Sequence, residues 1–151
     1  MNIVESFAPP TNEIAIAALE KRIGGRLPEE YRAFLLRDNG GGPDADCFRF
    51  ADRKGPYTDG KLRAFYAIWD GKHSRMSHAV ETFWEGERIP RELLPIGYDS
   101  FGNQICIAFA GPHRGRVYFW DHERETDPAS YANLDRIADS FDAFCALLTA
   151  A

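Results

Sequence analysis

The sequence predicts an α+β domain: a mainly antiparallel sheet, with N-terminal helices and a C-terminal helix packed against it. Three observations lead to this class. Apolar residues recur at helical spacing in the N-terminal third and again at the C-terminus, whereas residues 104–109 and 116–121 alternate as strands do. The length of 151 residues and the composition, 44% hydrophobic and 27% charged, are typical of one globular domain that spans residues 1–151.

The first helix is predicted to begin after Thr11 or Asn12, because either residue can accept a hydrogen bond from the first helical turn. Its apolar face consists of Ile16, Leu19 and Ile23. Gly24 and Gly25 follow this face directly and are predicted to end the helix.

A second helix is predicted with Pro28 at its first position, where a missing N–H costs nothing. Glu29 and Glu30 place negative charge at the positive end of the helix dipole. The buried stripe consists of Tyr31, Phe34 and Leu35, and the glycines and proline of residues 38–43 end the helix.

Residues 47–51 and 62–69 are predicted to be strands, joined by a turn-rich connection over residues 52–60. Ser77 is predicted to cap a short helix that carries Val80, Phe83 and Trp84. Strands 104–109 and 116–121 form a hairpin, and their alternation predicts that each strand is half-buried.

The last helix is predicted to begin after Ser140, a favourable N-cap residue. Its apolar stripe consists of Phe141, Phe144, Leu147 and Leu148. This stripe has the width expected for a helix that packs one face against a sheet.

Several short motifs occur in an order that resembles the SUKH superfamily, and its Smi/Knr-like branch in particular. They are Leu-Pro-Glu-Glu-Tyr (27–31), Asn-Gly-Gly (39–41), Leu-Leu-Pro-Ile (93–96), Gly-Asn (102–103), Val-Tyr-Phe-Trp-Asp-His-Glu (117–123) and Ser-Phe-Asp-Ala-Phe (140–144). Bacterial members of that branch are mostly immunity proteins against polymorphic toxins, and fungal members regulate the cell wall. The resemblance implies an immunity protein that binds and neutralises a cognate toxin or, alternatively, a cytosolic protein-binding scaffold or regulator of the same fold.

The net charge of −5 has the wrong sign for binding phosphate groups by counterion release, which argues against nucleic acid as a direct partner. An acidic surface instead attracts basic proteins. The expected partner is therefore a basic toxin, for example a nuclease, whose own surface must be basic to bind nucleic acid.

Two acidic clusters and one aromatic residue are the predicted partner-binding residues. Solvated loops are usually polar, so solvation and partner contact both remain open interpretations of the clusters. Trp120 is the aromatic candidate for an interface anchor, and burial in the core is the alternative interpretation of its ring. The first cluster is Asp44, Asp46, Asp52 and Asp59, and the second is Asp121, Glu123 and Glu125.

A third class, a metal-assisted hydrolase using Asp121, His122 and Glu123, fits the sequence less well. Consecutive strand residues point to opposite faces, so these side chains diverge. The three cysteines have no metal-ligand spacing and are expected to be reduced thiols inside the protein. We therefore predict a protein that is not an enzyme and has no cofactor or metal.

The protein is expected in the cytoplasm, because no apolar run is long enough to span a membrane and the N-terminus lacks signal-peptide features.

Overall fold

The computed structural model of the chain describes residues 1–52 and 55–151, and it confirms the α+β class. The strands are β1 (Ile3–Glu5), β2 (Gly42–Pro43), β3 (Cys47–Asp52), β4 (Gly55–Lys61), β5 (Ala64–Phe65), β6 (Leu93–Tyr98), β7 (Gln104–Ala108), β8 (Val117–Trp120) and β9 (Leu134–Ala138). The helices are α1 (Glu13–Ile23), α2 (Glu29–Asp38), α3 (Met76–Ala79), which continues as a π-helical segment (Val80–Glu85), and α4 (Phe141–Leu147). Short 3₁₀ turns form at His122–Arg124 and Tyr131–Asn133.

Five strands form an antiparallel sheet in the order β5-β6-β7-β8-β9. Two antiparallel ribbons accompany it, β1 with β2 and β3 with β4. The β3–β4 ribbon is linked to the C-terminus by a backbone hydrogen bond in each direction between Cys47 and Thr149.

The predicted hairpin is present as β7 and β8, but β7 is buried on both faces rather than one. The side chains of Ile105 and its pairing partner Phe119 lie on the same face of the sheet, and the Phe119 ring contacts Phe48 and Phe50 of β3. The side chains of Gln104 and its partner Trp120 lie on the opposite face of the sheet, where Trp120 contacts Phe83 in the π-helical segment that continues α3. As the middle strand of five, β7 is covered from both sides, so its residues are buried whatever their parity.

A cluster of aromatic rings connects elements from all parts of the chain. The Phe34 ring of α2 packs against Phe65 of β5 and Phe141 of α4, with centroids 4.8 and 5.1 Å away. Phe144 of α4 contacts Phe48 of β3, which attaches the β3–β4 ribbon to the same core. The full set is Tyr31, Phe34, Phe48, Phe50, Phe65, Phe119, Phe141 and Phe144.

The predicted helix caps are confirmed at three termini. Asn12 accepts a hydrogen bond from the Ala15 N–H and caps α1, which ends at Gly24 in the left-handed conformation. Ser140 accepts from the Ala143 N–H and caps α4. The start of α2 differs by one residue from the prediction, because Pro28 directly precedes the helix and Glu29 is its first residue.

The prediction for residues 52–69 is wrong in two respects. Residues 53 and 54 of the predicted connection lie outside the described residues. Residues 55–60 of that connection belong to β4, which pairs with β3. The Phe48 ring covers Gly60 so closely that a Cβ there would lie 2.4 Å from the ring. Of the predicted strand 62–69, only Ala64–Phe65 forms a strand. Backbone hydrogen bonds join residues 63–66 to β6, whereas the remaining apolar residues of the run pack against the core without joining a strand. An apolar run in a sequence does not distinguish these cases.

The predicted cap at Ser77 is also wrong. The helix begins two residues earlier than a cap at Ser77 implies, at Met76, and its N-terminus has no side-chain cap. Instead, the Met76 N–H donates to the Ala67 carbonyl at 2.8 Å, so a tertiary backbone hydrogen bond replaces the cap. Strand β9 has no counterpart in the sequence prediction, because Asp135 and Arg136 interrupt its apolar pattern.

We predict that Ser140→Ala lowers the free energy of unfolding by about 1 kcal/mol, because it removes the N-cap hydrogen bond of α4. Ser77→Ala is the matched control, since Ser77 is exposed and caps nothing. Denaturant melts of both variants provide the measurement. Equal effects of the two substitutions would contradict the assignment of Ser140 as a cap.

Tyr31 provides a second stability test, because its buried hydroxyl has no hydrogen-bond partner among the described residues. We predict that Tyr31→Phe raises the free energy of unfolding by about 1 kcal/mol, since an unpaired buried polar group costs free energy. Tyr66→Phe is the control with the opposite sign, because the Tyr66 hydroxyl donates to Gln104 Oε1 at 2.6 Å. A loss of stability in Tyr31→Phe, measured by thermal and denaturant melts, would contradict the prediction.

Candidate functional site

A wide groove of about 770 Å³ lies between the β3–β4 ribbon and the turn that joins β6 to β7. Phe48 and Phe119 contribute apolar surface to the groove, and Leu147 lies at its C-terminal side. Arg49, Asp59, Lys61 and Asp99 contribute charged groups. The groove therefore combines an apolar interior with charges of both signs, which is the composition of a protein-binding surface.

Phe101 is the most exposed aromatic residue at this groove, with 77% of its surface accessible. It lies on the turn between β6 and β7, which the Asp99 carboxylate organises. Asp99 Oδ1 accepts from the N–H groups of Phe101 at 2.8 Å and Asn103 at 2.9 Å. The Asn103 side chain donates to Asp99 Oδ2 at 2.7 Å. The turn is thereby rigid, and it holds an apolar ring in solvent, where the ring contributes little to folding.

The sequence prediction did not include Phe101. The available signal was a phenylalanine between turn-forming residues, Asp99-Ser100-Phe101-Gly102-Asn103. An Asp side chain commonly bonds the backbone two residues ahead and builds such a turn. A large apolar side chain at its tip is therefore directed away from the sheet.

The same turn contacts the second acidic cluster. Asn103 Oδ1 accepts from the His122 N–H at 3.1 Å and lies 2.7 Å from His122 Nδ1. His122 is the first residue of the 3₁₀ turn that also contains Glu123. The structure therefore brings the β6–β7 turn next to the acidic segment that follows β8.

The first acidic cluster lies mostly near the β3–β4 ribbon, and its carboxylates have local partners. Asp59 pairs with Arg49 at 2.6 Å, and the hydrogen bonds from that guanidinium lower the pKa of the Asp59 carboxyl. Asp46 lies 3.6 Å from Lys61. Asp44 accepts two hydrogen bonds from Asn2, which lower its pKa. The side chain of Asp52 lies outside the described residues.

The second acidic cluster separates into structural and exposed residues. Asp121 caps the 3₁₀ turn by accepting from the Glu123 N–H, and it also accepts from Arg124 at 2.9 Å. Arg124 in turn donates to the buried Asp135 at 2.8 Å. Glu125 forms two hydrogen bonds of 2.9 Å with Arg88, which lower the pKa of its carboxyl. Glu123 and Glu125 are both exposed, and Glu125 is the one of the two that is held by an arginine.

Trp120 is fully buried, so the prediction that its ring anchors a partner is wrong. Its ring packs against Phe83 with centroids 5.4 Å apart, and the Arg88 guanidinium lies 5.5 Å from the ring centroid. Alternation along β8 directs Trp120 to the face covered by the segment after α3. Phe119, the adjacent residue, lines the groove instead.

The residues considered for metal chemistry have other contacts. Asp121 contacts Arg124, whereas the His122 ring contacts Asn103. Within residues 1–52 and 55–151, no group of three His, Cys, Asp or Glu side chains is placed to hold a metal ion.

The cysteine thiols at positions 106 and 145 have raised pKa values because they are buried. Burial raises the pKa of the Cys106 thiol far above its usual range, so this thiol remains protonated. Burial is also the main cause that raises the pKa of Cys145 to about 12. No helix in the same ranges has the length and apolar character needed to cross a membrane.

The fold and the groove define an α+β protein whose prominent surface feature is an apolar groove with a charged rim. The chain belongs to the SMI1 / KNR4 family (SUKH-1), whose family model matches residues 10–146. One relative, "SPbeta prophage-derived uncharacterized protein YokK" of Bacillus subtilis (strain 168), is 30% identical over 89% of this chain and 72% of its own length. A crystal structure of a protein from Pseudomonas syringae pv. tomato has the same fold, with a TM-score of 0.51 and 21% identity over 82% of this chain and 75% of the other.

We predict that Asp121→Ala lowers the free energy of unfolding by about 1–2 kcal/mol, because it removes a cap and the partner of Arg124. The neighbouring Glu123→Ala is the matched control and is expected to change stability by no more than about 0.5 kcal/mol, since Glu123 is exposed. Denaturant melts distinguish the two. If Asp121→Ala is as stable as the parent protein, Asp121 has no structural role and its carboxylate is available to a partner.

Proposed function

We propose that this protein is a cytoplasmic immunity protein that binds a cognate toxin and neutralises it by masking, without catalysing a reaction itself. The observation that carries the proposal is the exposed Phe101 ring on a rigid turn, at the mouth of the groove and between two acidic segments. Family membership supports the proposal, because SUKH proteins are generally immunity proteins rather than enzymes. The prophage origin in the name of the Bacillus relative is in keeping with a gene that travels with a toxin gene.

The geometry favours binding through a few apolar anchors. Phe101 is 77% exposed, and Leu147, which also lines the groove, is 41% exposed. Tyr57, whose ring centroid lies 4.0 Å from the guanidinium of the groove residue Arg49, is 53% exposed. Most interface free energy comes from a few central residues, and aromatic side chains are prominent among them. A rigid anchor loses little conformational entropy on binding, which increases affinity. We therefore place Phe101 at the centre of the interface.

The charges favour a basic partner. The chain carries a net charge of −5, and Asp44, Asp59 and Glu123 are exposed. Complementary charge accelerates the encounter of two proteins more than it adds affinity. A basic toxin, for example a nuclease, fits this surface.

The test uses the protein encoded by the adjacent reading frame as the candidate toxin. Co-expression with this chain is expected to restore growth, and the purified proteins are expected to form a complex measurable by calorimetry. Phe101→Ala is expected to weaken the complex at least tenfold, which corresponds to losing about 1.4 kcal/mol of binding free energy. Ile14→Ala is the matched control, since Ile14 is 83% exposed but lies on α1. Equal affinities of the two variants would contradict a central role for Phe101.

Glu123→Lys tests the electrostatic part separately. Its association rate is expected to be lower than that of the parent protein at low salt, and the two rates are expected to converge as salt screens the charges. Unchanged association at low salt would remove the second acidic cluster from the interface.

The alternative function, a scaffold or regulator with an endogenous partner, uses the same fold. It predicts that the chain gives no protection against the neighbouring protein and instead binds a protein of its own cytoplasm through Phe101. The growth assay therefore distinguishes the two functions, and the Phe101→Ala comparison applies to both.

A further inference from the structure

A second cavity, of about 270 Å³, lies on another part of the surface and shares no lining residue with the groove. Tyr66, which follows β5, and Tyr98, the last residue of β6, form one side of it. The other side is the segment that leads into α3, with Lys72, Ser74, Arg75 and His78. Its volume is below the range of about 300–1,000 Å³ typical of sites for drug-sized molecules, so it fits a smaller ligand.

The lining of this pocket is basic in an acidic protein. Lys72, Arg75 and His78 line it, and the described residues that line it include neither aspartate nor glutamate. Lys72 and Arg75 form no salt bridge with any residue in the described ranges. Arginines elsewhere, such as Arg49, Arg88 and Arg124, have carboxylate partners. The positive charge at this pocket is therefore available to an external anion.

The hydroxyl groups of the pocket add a hydrogen-bond donor. The Tyr98 hydroxyl and Ser74 Oγ lie 2.6 Å apart and share one hydrogen bond. Two hydroxyl protons are present, and this bond uses one of them, so the other is available to a ligand. The Tyr66 hydroxyl donates to Gln104 instead, which fixes its ring beside Tyr98 with centroids 5.1 Å apart.

The backbone holds Ser74 in position. Ser74 has φ +55°, a left-handed conformation that is unfavourable for residues other than glycine and is often found at functional sites. The Ala67 N–H donates to the Ser74 carbonyl at 2.7 Å, and the Met76 N–H donates to the Ala67 carbonyl at 2.8 Å. These bonds anchor the basic segment to the chain that follows β5, so the pocket does not depend on a ligand for its shape.

We propose that this pocket binds a small phosphorylated molecule, with the phosphate group between Arg75 and Lys72 and hydrogen-bonded by the Ser74–Tyr98 hydroxyl pair. Guanidinium, ammonium and hydroxyl donors are the groups that phosphate oxygens bind most strongly. Exposed ring surface of Tyr98 lies next to this donor set and contacts the organic part of the ligand. This site is independent of the function proposed above.

The test is an NMR titration of the whole chain with inorganic phosphate and with phenyl phosphate, at constant ionic strength maintained with sodium chloride. Saturable shifts are expected at the amides of Ser74, Arg75 and Tyr98, with tighter binding of phenyl phosphate than of inorganic phosphate. The double variant Lys72→Gln, Arg75→Gln is expected to bind at least about tenfold more weakly, because hydrogen bonds to charged groups are strong. Lys21→Gln, on the exposed surface of α1, is the control for removing a positive charge outside the pocket and is expected to bind like the parent.

Two results of the titration would overturn the proposal. The first is a set of shifts that rise linearly with phosphate concentration and are spread over the surface. The second is a loss of phosphate affinity in Lys21→Gln equal to that in the double variant. Acetate binding as tightly as phosphate would also overturn it, because the site would then not distinguish phosphate from a carboxylate. A phosphoserine peptide binding more than tenfold tighter than free phosphoserine would assign the pocket to a protein ligand instead. If the double variant unfolds, Ser74→Ala tests the same site by removing one hydroxyl, and unchanged phosphate affinity in that variant would contradict the proposed donor set.

Discussion

The contact among aromatic rings between α2, α4, β5 and the β3–β4 ribbon is the interaction on which the remaining structure depends. Phe34 of α2 and Phe141 of α4 are far apart in sequence, yet both pack against Phe65 of the sheet edge. Each buried aromatic side chain removes about 150–250 Å² from water, and ring pairs add favourable edge and offset contacts. Because Phe48 joins the same cluster through Phe144 and Phe119, the cluster also sets the position of the ribbon that forms one wall of the groove.

The distribution of charge follows from this arrangement. Packing brings arginines next to three of the seven carboxylates in the two acidic clusters, Asp59, Asp121 and Glu125, so the acidic segments have less available charge than their composition indicates. Arg88 illustrates the double role of these contacts, since it pairs with Glu125 and also lies 4.9 Å from the Phe83 ring centroid. Exposed carboxylates such as Glu123 then remain to interact with a partner, whereas Asp121 and Glu125 stabilise the segment that presents it.

The groove and the basic pocket lie on either side of the end of β6. Tyr98 ends the strand and lines the basic pocket, and the next residue, Asp99, builds the turn that presents Phe101 to the groove. One short segment thus separates an apolar surface suited to a protein from a basic pocket suited to a small anion. Their chemistry differs enough that each can be removed by substitution without altering the other.

The sequence by itself determined the features that depend on neighbouring residues: the caps at Asn12 and Ser140, the ends of α1 and α2, the β7–β8 hairpin and, through the order of its motifs, the family. These depend on hydrogen bonds and periodicities within a few residues, which a sequence displays directly. Tertiary structure decided the burial of both faces of β7, the pairing of β4, the missing cap at Ser77, the burial of Trp120 and the exposure of Phe101. It also decided which carboxylates are neutralised, because partners such as Arg88 and Glu125, 37 residues apart, meet only when the chain has packed.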